Sequence, residues 1–331
     1  MTLKIGHIVI KEPVILAPMA GVTDRPFRAL VAEFGVGLVV SEMVASREMV
    51  ESKPSVRQKA EIAAGDALTS VQIAGREARW MAEAARRLAG EGARIIDINM
   101  GCPAKKVTNG LSGSALMRDP DHALGLIEAV VGAVDVPVTL KMRLGWDRGA
   151  MNAPDIARRA EAAGVQAITI HGRTRCEFYK GEADWRAIRR VVDAVTVPVI
   201  ANGDIVDLAS AKAALALSGA AAVMVGRGAQ GAPWIPSQIA AGLRGRPAAE
   251  APRGAALAEL ICRHHDAQLV HYGREIGLRT ARKHLGWYLG RVAGAGSLRA
   301  ALMRAETPEA VAHLLRTDLP RLGAAEEALA A

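Results

Sequence analysis

The feature that most constrains this chain is a repeated alternation of short apolar runs with amphipathic stretches. VILAPMA, LVVSEM, LTSVQIAG, IIDINMG, PVTLKMR, AITIHGR, PVIANGD and AAVMVGRG follow one another between Val14 and Gly228. Most are separated by segments of helical period: REARWMAEAARRLAGEG places Trp80, Ala84 and Leu88 on one face, and HALGLIEAVVGAV, DIARRAEAAGV, DWRAIRRVVDAV and DLASAKAALALSG repeat the pattern. Several open on Asp and close near Gly, as capped helices do. Eight strands alternating with helices over about 230 residues match a (β/α)8 TIM barrel. An open doubly wound sheet shares the alternation but gathers its chemistry at one switch point. Here Met19, Glu42, Gln72, Asn99, Lys141, His171, Asn202 and Gly226 close nearly every strand, which a barrel rim explains and an open sheet does not. The α/β fold predicted is therefore a TIM barrel.

After a Pro/Gly/Ala-rich seam near 244–254 the strands stop. LAELICRHHDAQLVHYG, LRTARKHLGWYLGRV, LRAALMRA and TPEAVAHLLRTDL read as successive helices. The pattern predicts a barrel domain over 1–245 and a small C-terminal helical domain over 252–331. The tail is studded with Arg263, Arg274, Arg279, Arg282, Lys283, Arg291, Arg299 and Arg304, interleaved with Trp287 and Tyr288, and the whole chain carries a formal charge of +8. Such a balance favours a polyanionic partner, although it says nothing of fold. Three cysteines without a C-x-x-C pair argue against a disulfide framework or structural zinc and for a reducing compartment. Lys11 and Glu12 interrupt the apolar N-terminus, unlike a signal peptide, and no apolar run approaches the ~20 residues of a membrane span. A cytoplasmic protein with no metal site and no membrane association is expected.

The last two strand ends, Asn202-Gly203-Asp204 and Gly226-Arg227-Gly228, suit the phosphate site that barrels often build after strands seven and eight, though ordinary turns would look the same. The G-x-G-x-x-G match from Gly226 to Gly231 follows the last strand, with no βαβ unit beyond it, so a dinucleotide fingerprint is not expected. Lys141 ends an apolar strand, where its charge calls for a developing anion on a ligand or for a salt-bridge partner. His171 fits a ligand contact or a capping role, and the Gln72 amide fits the edge of a heteroaromatic ring. Pro18, Met19, Ala20 and Gly21 form either a flat bed for a planar group or a tight turn. A planar ring, an anionic ring edge and a phosphate together describe flavin mononucleotide. Cys102 follows the fourth strand in a Gly-Cys-Pro turn beside Lys105 and Lys106. A thiol there serves as nucleophile or general acid, and an ordinary thiol pKa of ~8.5 keeps it protonated for proton donation.

MGCPAKKVTNGLSGSALMRD, APMAGVTDRPFR, HGRTRCEFYKGEADW, PVIANGD and GRGAQGAPW together resemble the bacterial tRNA-dihydrouridine synthases, and RKHLGWY in the tail resembles their B-type subfamily. The resemblance covers nearly the whole chain. It implies reduction of specific uridines in the tRNA D-loop to 5,6-dihydrouridine, with NADPH reducing FMN, hydride passing from flavin N5 to uridine C6, and Cys102 protonating C5. It further implies that Pro18, Met19 and Ala20 line FMN, that Gln72 meets its pyrimidine edge and that Lys141 faces N1. His171, Asn202, Gly203, Asp204, Gly226 and Arg227 would complete the ring and phosphate contacts. Lys105, Lys106, Arg173 and Arg175 at the rim, with Arg282 and Lys283 in the tail, would contact tRNA, with no obligate protein partner. Asn109 and Leu111 depart from the family pattern, which often has Gly and an aromatic there. Cys176 is a second rim thiol, ranked below Cys102. Two other readings are a small-molecule FMN barrel of the dihydroorotate dehydrogenase kind, which leaves the basic tail unexplained, and an RNA-binding protein without catalysis.

Overall fold

The computed structural model describes residues 3–62 and 67–330. Eight parallel strands form the core: β1 (Val14–Leu16), β2 (Leu38–Val40), β3 (Thr69–Ala74), β4 (Ile95–Met100), β5 (Val138–Arg143), β6 (Ile168–His171), β7 (Val199–Asn202) and β8 (Ala222–Val225). Each pairs with the next; β2 bonds to β3 through Val39 and Thr69, and β8 returns to β1 through Met224 and Ile15, closing the ring. The fold is the expected TIM barrel. Its helices start where the sequence places an acceptor: Asp24, Asp119, Asp184 and Asp207 each accept a backbone N–H from the first turn. The Ala78–Gly90 helix buries Ala84 and Leu88, as its period predicts, with Trp80 half-buried.

Side chains along a strand alternate faces, and the barrel interior grades from apolar to polar along the strand direction. Ile15, Leu38, Ile95, Ala167, Ile200 and Ala222, near the strand starts, belong to one apolar cluster. Two residues further on, the polar positions Asp97, Thr169 and Asn202 appear in β4, β6 and β7. The apolar end is closed by an antiparallel hairpin, Leu3–Ile5 with Ile8–Ile10, whose Leu3, Ile5, Ile8 and Ile10 join that cluster. Gly6 turns the hairpin at φ 56°, a conformation that favours glycine. This hairpin was not expected from the sequence. Each isoleucine it buries contributes roughly 1.5–3 kcal/mol.

The chain divides into two compact units, Met1–Gly228 with Pro236–Pro247, and Ala229–Ile235 with Ala248–Ala331. The second contains the helices Gly254–Tyr272, Arg274–Leu289, Gly296–Arg304 and Pro308–Ala330. Its interior combines Leu257, Ile261, Leu285 and Leu315 with buried His264, Gln268 and His284. The His264 Nδ1 lies 3.1 Å from the Tyr288 hydroxyl, and the His284 ring meets that of His264 edge-on. Burial pushes His264 down to about 3, so these rings are neutral at physiological pH. No helix among the described residues is long and apolar enough to cross a membrane, and no group of three or more His, Cys, Asp or Glu among them is arranged to hold a metal ion.

Candidate active site

Strand register places the polar residues in layers. Gln72, Asp97 and Thr139 are partners across β3, β4 and β5, and one layer up Asn99 is opposite Lys141. Asp97 is buried and accepts from both neighbours, Gln72 Nε2 at 2.7 Å and the Thr139 hydroxyl at 2.6 Å. Burial raises its carboxyl above the ordinary value, against those two hydrogen bonds. Asn99 Nδ2 donates to Gln72 Oε1 at 2.7 Å, and Asn99 Oδ1 accepts the backbone N–H of Gly101 at 3.2 Å and of Cys102 at 3.0 Å. The Gln72 amide, expected to point at a ligand, therefore has both of its atoms engaged inside the barrel.

Cys102 is half-buried on the turn after β4. Its carbonyl accepts from the Ser114 N–H at 3.1 Å and the Ser114 hydroxyl at 2.8 Å, tying the far end of the loop back to the turn. A Cβ added at Gly113 would stand 2.9 Å from that carbonyl, at φ 60°, so the Ser-Gly-Ser segment requires its glycine for this close approach. Between the two lie Lys105 and Lys106, both exposed. Leu111, 63% exposed at φ 54°, stands at the end of this loop, so the departure there is a solvent-facing one.

Lys141 is buried and donates to Asn202 Oδ1 at 3.0 Å, while Asn202 Nδ2 donates to the Met224 carbonyl at 2.8 Å. Burial, reinforced by the Arg143 charge, pushes Lys141 down to about 8. It has no salt bridge among the described residues, so of the two partners its position called for, an anionic ligand edge fits better. Burial pushes His171 well below the ordinary imidazole value, with Lys141 and Arg143 adding to the effect, so the ring is neutral. His171 lies against Gly203, where at φ 114° a Cβ would come within 2.8 Å of the ring. Asp204 follows at φ 52° and accepts from Arg173, Arg227 and the Ala183 N–H. Burial opposes its ionisation, but these donors hold the carboxyl below its ordinary value. Gly226 faces Met19, whose Sδ would be 3.7 Å from a Cβ there, so the ends of β1 and β8 adjoin. Pro18 and Met19 are half-buried and Ala20 is exposed.

The basic residues separate into two kinds. Arg173, expected to meet RNA, is only 1% exposed. Its guanidinium is bonded to Asp204 and to the Lys180 and Gly181 carbonyls, so in this structure Arg173 braces the rim. Arg175 is half-buried and stacks on Trp146 and Phe178 at 4.6 and 4.8 Å. Arg227 is 54% exposed beside Tyr179. In the helical unit Arg282 and Lys283 are half-buried, and Arg282 donates to the Ala305 carbonyl at 3.3 Å. Cys176 is exposed, its N–H bonded to the Trp146 carbonyl.

Sequence reasoning missed Arg143, the last residue of β5. It is 1% exposed and donates to the Gly101, Thr174 and Phe178 carbonyls at 2.8 to 2.9 Å, joining the Cys102 turn to the loop after β6. Burial, with the neighbouring Arg173 charge, pushes it down to about 10, partly offset by Tyr179. The alternation V-T-L-K-M-R was its signal: three polar residues two apart in a buried strand share one face and need a polar interior.

Fold and rim define a TIM barrel whose C-terminal end pairs a half-buried thiol with a desolvated ammonium, an arrangement for a redox or group-transfer enzyme. Residues 15–322 match the family model described as dihydrouridine synthase, and the chain belongs to that enzyme family. It is 64% identical over 319 residues to a "Probable tRNA-dihydrouridine synthase" of Rhodobacter capsulatus, covering 96% of this chain and 98% of that one. It is 47% identical to "tRNA-dihydrouridine synthase B" of Pseudomonas syringae pv. tomato, covering 93% of this chain and 91% of the relative. Among solved structures it resembles a histamine dehydrogenase from Rhizobium sp. 4-9 (TM-score 0.57, 13% identity, 80% of this chain and 50% of that one). A 2-naphthoyl-CoA reductase is similar in the same degree (TM-score 0.58, 14% identity, 78% and 54%). The chain spans about half the length of these two, and the likeness concerns the fold.

Proposed function

We propose that this protein holds FMN on the barrel rim and, with NADPH as reductant, reduces specific D-loop uridines of tRNA to 5,6-dihydrouridine. The observation that carries this reading is a half-buried Cys102 on the turn three residues beyond Asn99, the strand partner of the buried Lys141, in a chain of the dihydrouridine synthase family. The residues present fit the cofactor. Lys141 offers an ammonium in a desolvated site, where it favours an anionic ring edge more strongly than it would in water. Pro18, Met19 and Ala20 offer a compact surface, and His171 and Asn202 line the ring beside Lys141. Gly203, Asp204, Gly226 and Arg227 form the phosphate end, where the exposed guanidinium supplies the charge and Asp204 orients it.

Bound there, FMN supplies a two-electron carrier between NADPH and uridine C6. Cys102 holds the proton for C5 on a turn fixed by Asn99 and Ser114, at a place open to solvent and hence to a base. Its target atom is inside a stack until the nucleotide turns outward, so the rim requires a flipped uridine. Lys105, Lys106 and Arg175, with Arg282 and Lys283 of the helical domain at 252–331, supply the phosphate contacts. Affinity for tRNA then falls by ~0.7 to ~0.9 log units per log of salt for each phosphate neutralised. The protein acts in the cytoplasm without an obligate protein partner. The test is incubation with unmodified tRNA and NADPH, followed by digestion and mass spectrometry. Uridine gaining two hydrogens at D-loop positions supports the reading, and tRNA left unchanged by flavin-loaded protein contradicts it.

A further inference from the structure

We propose that Asp97 is a positioning residue: through Gln72 and Asn99 it sets the direction of a buried amide relay that holds the Cys102 main chain in place. The inference rests on Cys102 being the proton donor of the proposed reaction. Its geometry stands independently of that reading.

An amide can be turned either way in a hydrogen-bonded chain unless its ends are fixed. At one end of this relay the Gly101 and Cys102 N–H groups are donors only, so Asn99 must present its oxygen to them. Its nitrogen then faces Gln72, whose oxygen must accept at 2.7 Å and whose nitrogen must face Asp97, also at 2.7 Å. The relay closes only on a group that accepts there, and Asp97 does so with one oxygen while Thr139 satisfies the other at 2.6 Å. Each of these hydrogen bonds joins a donor to an acceptor in this one direction. With the amides reversed, an Asn99 NH2 would meet two backbone N–H groups and a Gln72 oxygen would meet a carboxylate. Gln72 is 1% exposed, Asp97 5% and Asn99 7%, so water does not readily repair a mismatch. An apolar layer would pack the barrel as well. The buried carboxylate is explained by what lies at the far end of the relay.

An Asp97→Asn change keeps the shape, but its amide offers oxygen or nitrogen to Gln72 according to how it turns, since the Thr139 hydroxyl accepts as well as donates, so that end of the relay is no longer fixed. Combining it with Gln72→Glu restores it: the new amide donates to a carboxylate at 72, which also accepts from Asn99, with side-chain volume and total charge conserved. Two readouts are taken on the full-length protein. Amide hydrogen exchange of the peptide containing Gly101 and Cys102 is measured without flavin, and the two flavin half-reactions are measured with it. D97N should speed exchange at that turn and slow tRNA-dependent flavin reoxidation, each by tenfold or more. Flavin reduction by NADPH should stay within twofold of wild type. The D97N/Q72E double variant should recover the exchange protection of that turn to within threefold of wild type. The proposal is overturned if D97N leaves the turn's exchange unchanged, if it slows both half-reactions alike, or if the double variant is no better than D97N. Should tRNA fail to reoxidise even the wild-type flavin, the functional reading fails, and the exchange pattern alone decides the relay.

Discussion

The two ends of the barrel interior are built from the same strands and behave as different materials. At the strand starts, Ile15, Ile95 and Ile200 join Ile5, Ile8 and Ile10 of the hairpin in one apolar cluster. At the strand ends, Asp97, Lys141, Arg143 and Arg173 are buried at 9% exposure or less, each tied to named partners. Burying charge costs several kcal/mol per ion unless it is well compensated, whereas the apolar end gains free energy with every methylene removed from water. The contrast separates stability from function: the lower layers hold the fold, and the upper ones spend part of that stability on a preorganised field.

Changes at the two ends should therefore fail in different ways. The largest expected effect is on chemistry. Cys102→Ala should slow uridine reduction by roughly 10²–10⁴-fold, as loss of a general acid does, while denaturant unfolding shifts by less than about 1 kcal/mol. A comparable loss of stability would move Cys102 into the structural class. Next is Ile10→Ala in the hairpin, which should cost about 2–5 kcal/mol in unfolding and leave the rate per folded molecule unchanged. Lys141→Met goes the other way. Removing a desolvated ammonium should stabilise the flavin-free protein at pH 7 by on the order of 1–3 kcal/mol, less what the unpaired Asn202 oxygen costs, and abolish turnover.

That variant also carries a pH signature. Lys141 titrates at about 8 when folded against an ordinary 10.5. The unfolded chain thus holds the extra proton between those values, and wild-type stability gains from this group as pH rises from 8 to 10.5. Comparing wild type with Lys141→Met over that range should show the gain in the former only. The smallest effect belongs to Arg227→Ala. The side chain is half exposed, so unfolding should change by no more than ~0.5 kcal/mol, while retention of a flavin phosphate weakens about tenfold.

Much of this division was legible in the sequence. Buried parallel strands announced themselves as apolar runs, and Cys102, Lys141, His171 and Asn202 stood at strand ends where a barrel gathers its chemistry. The hairpin was not read, because two three-residue strands around Gly6 are too short for a period to register. Arg173 and Arg175 sit two apart in one loop and look alike in sequence. Only the fold shows that Asp204, 31 residues on, claims the first. Gln72 was read as an isolated amide because its partners Asp97 and Asn99 come from the next strand, and register is a tertiary fact. Arg143 is hidden for the converse reason: an arginine ending a strand looks like surface until three carbonyls close around it.

The most direct test of the account reduces the flavin anaerobically and follows its reoxidation by stopped flow on adding unmodified tRNA, with free uridine as control. Rapid reoxidation by tRNA alone, slowed sharply in Cys102→Ala, is the predicted result. Reoxidation by free uridine or small enones with tRNA inert would contradict it, and would make the rim a small-molecule site.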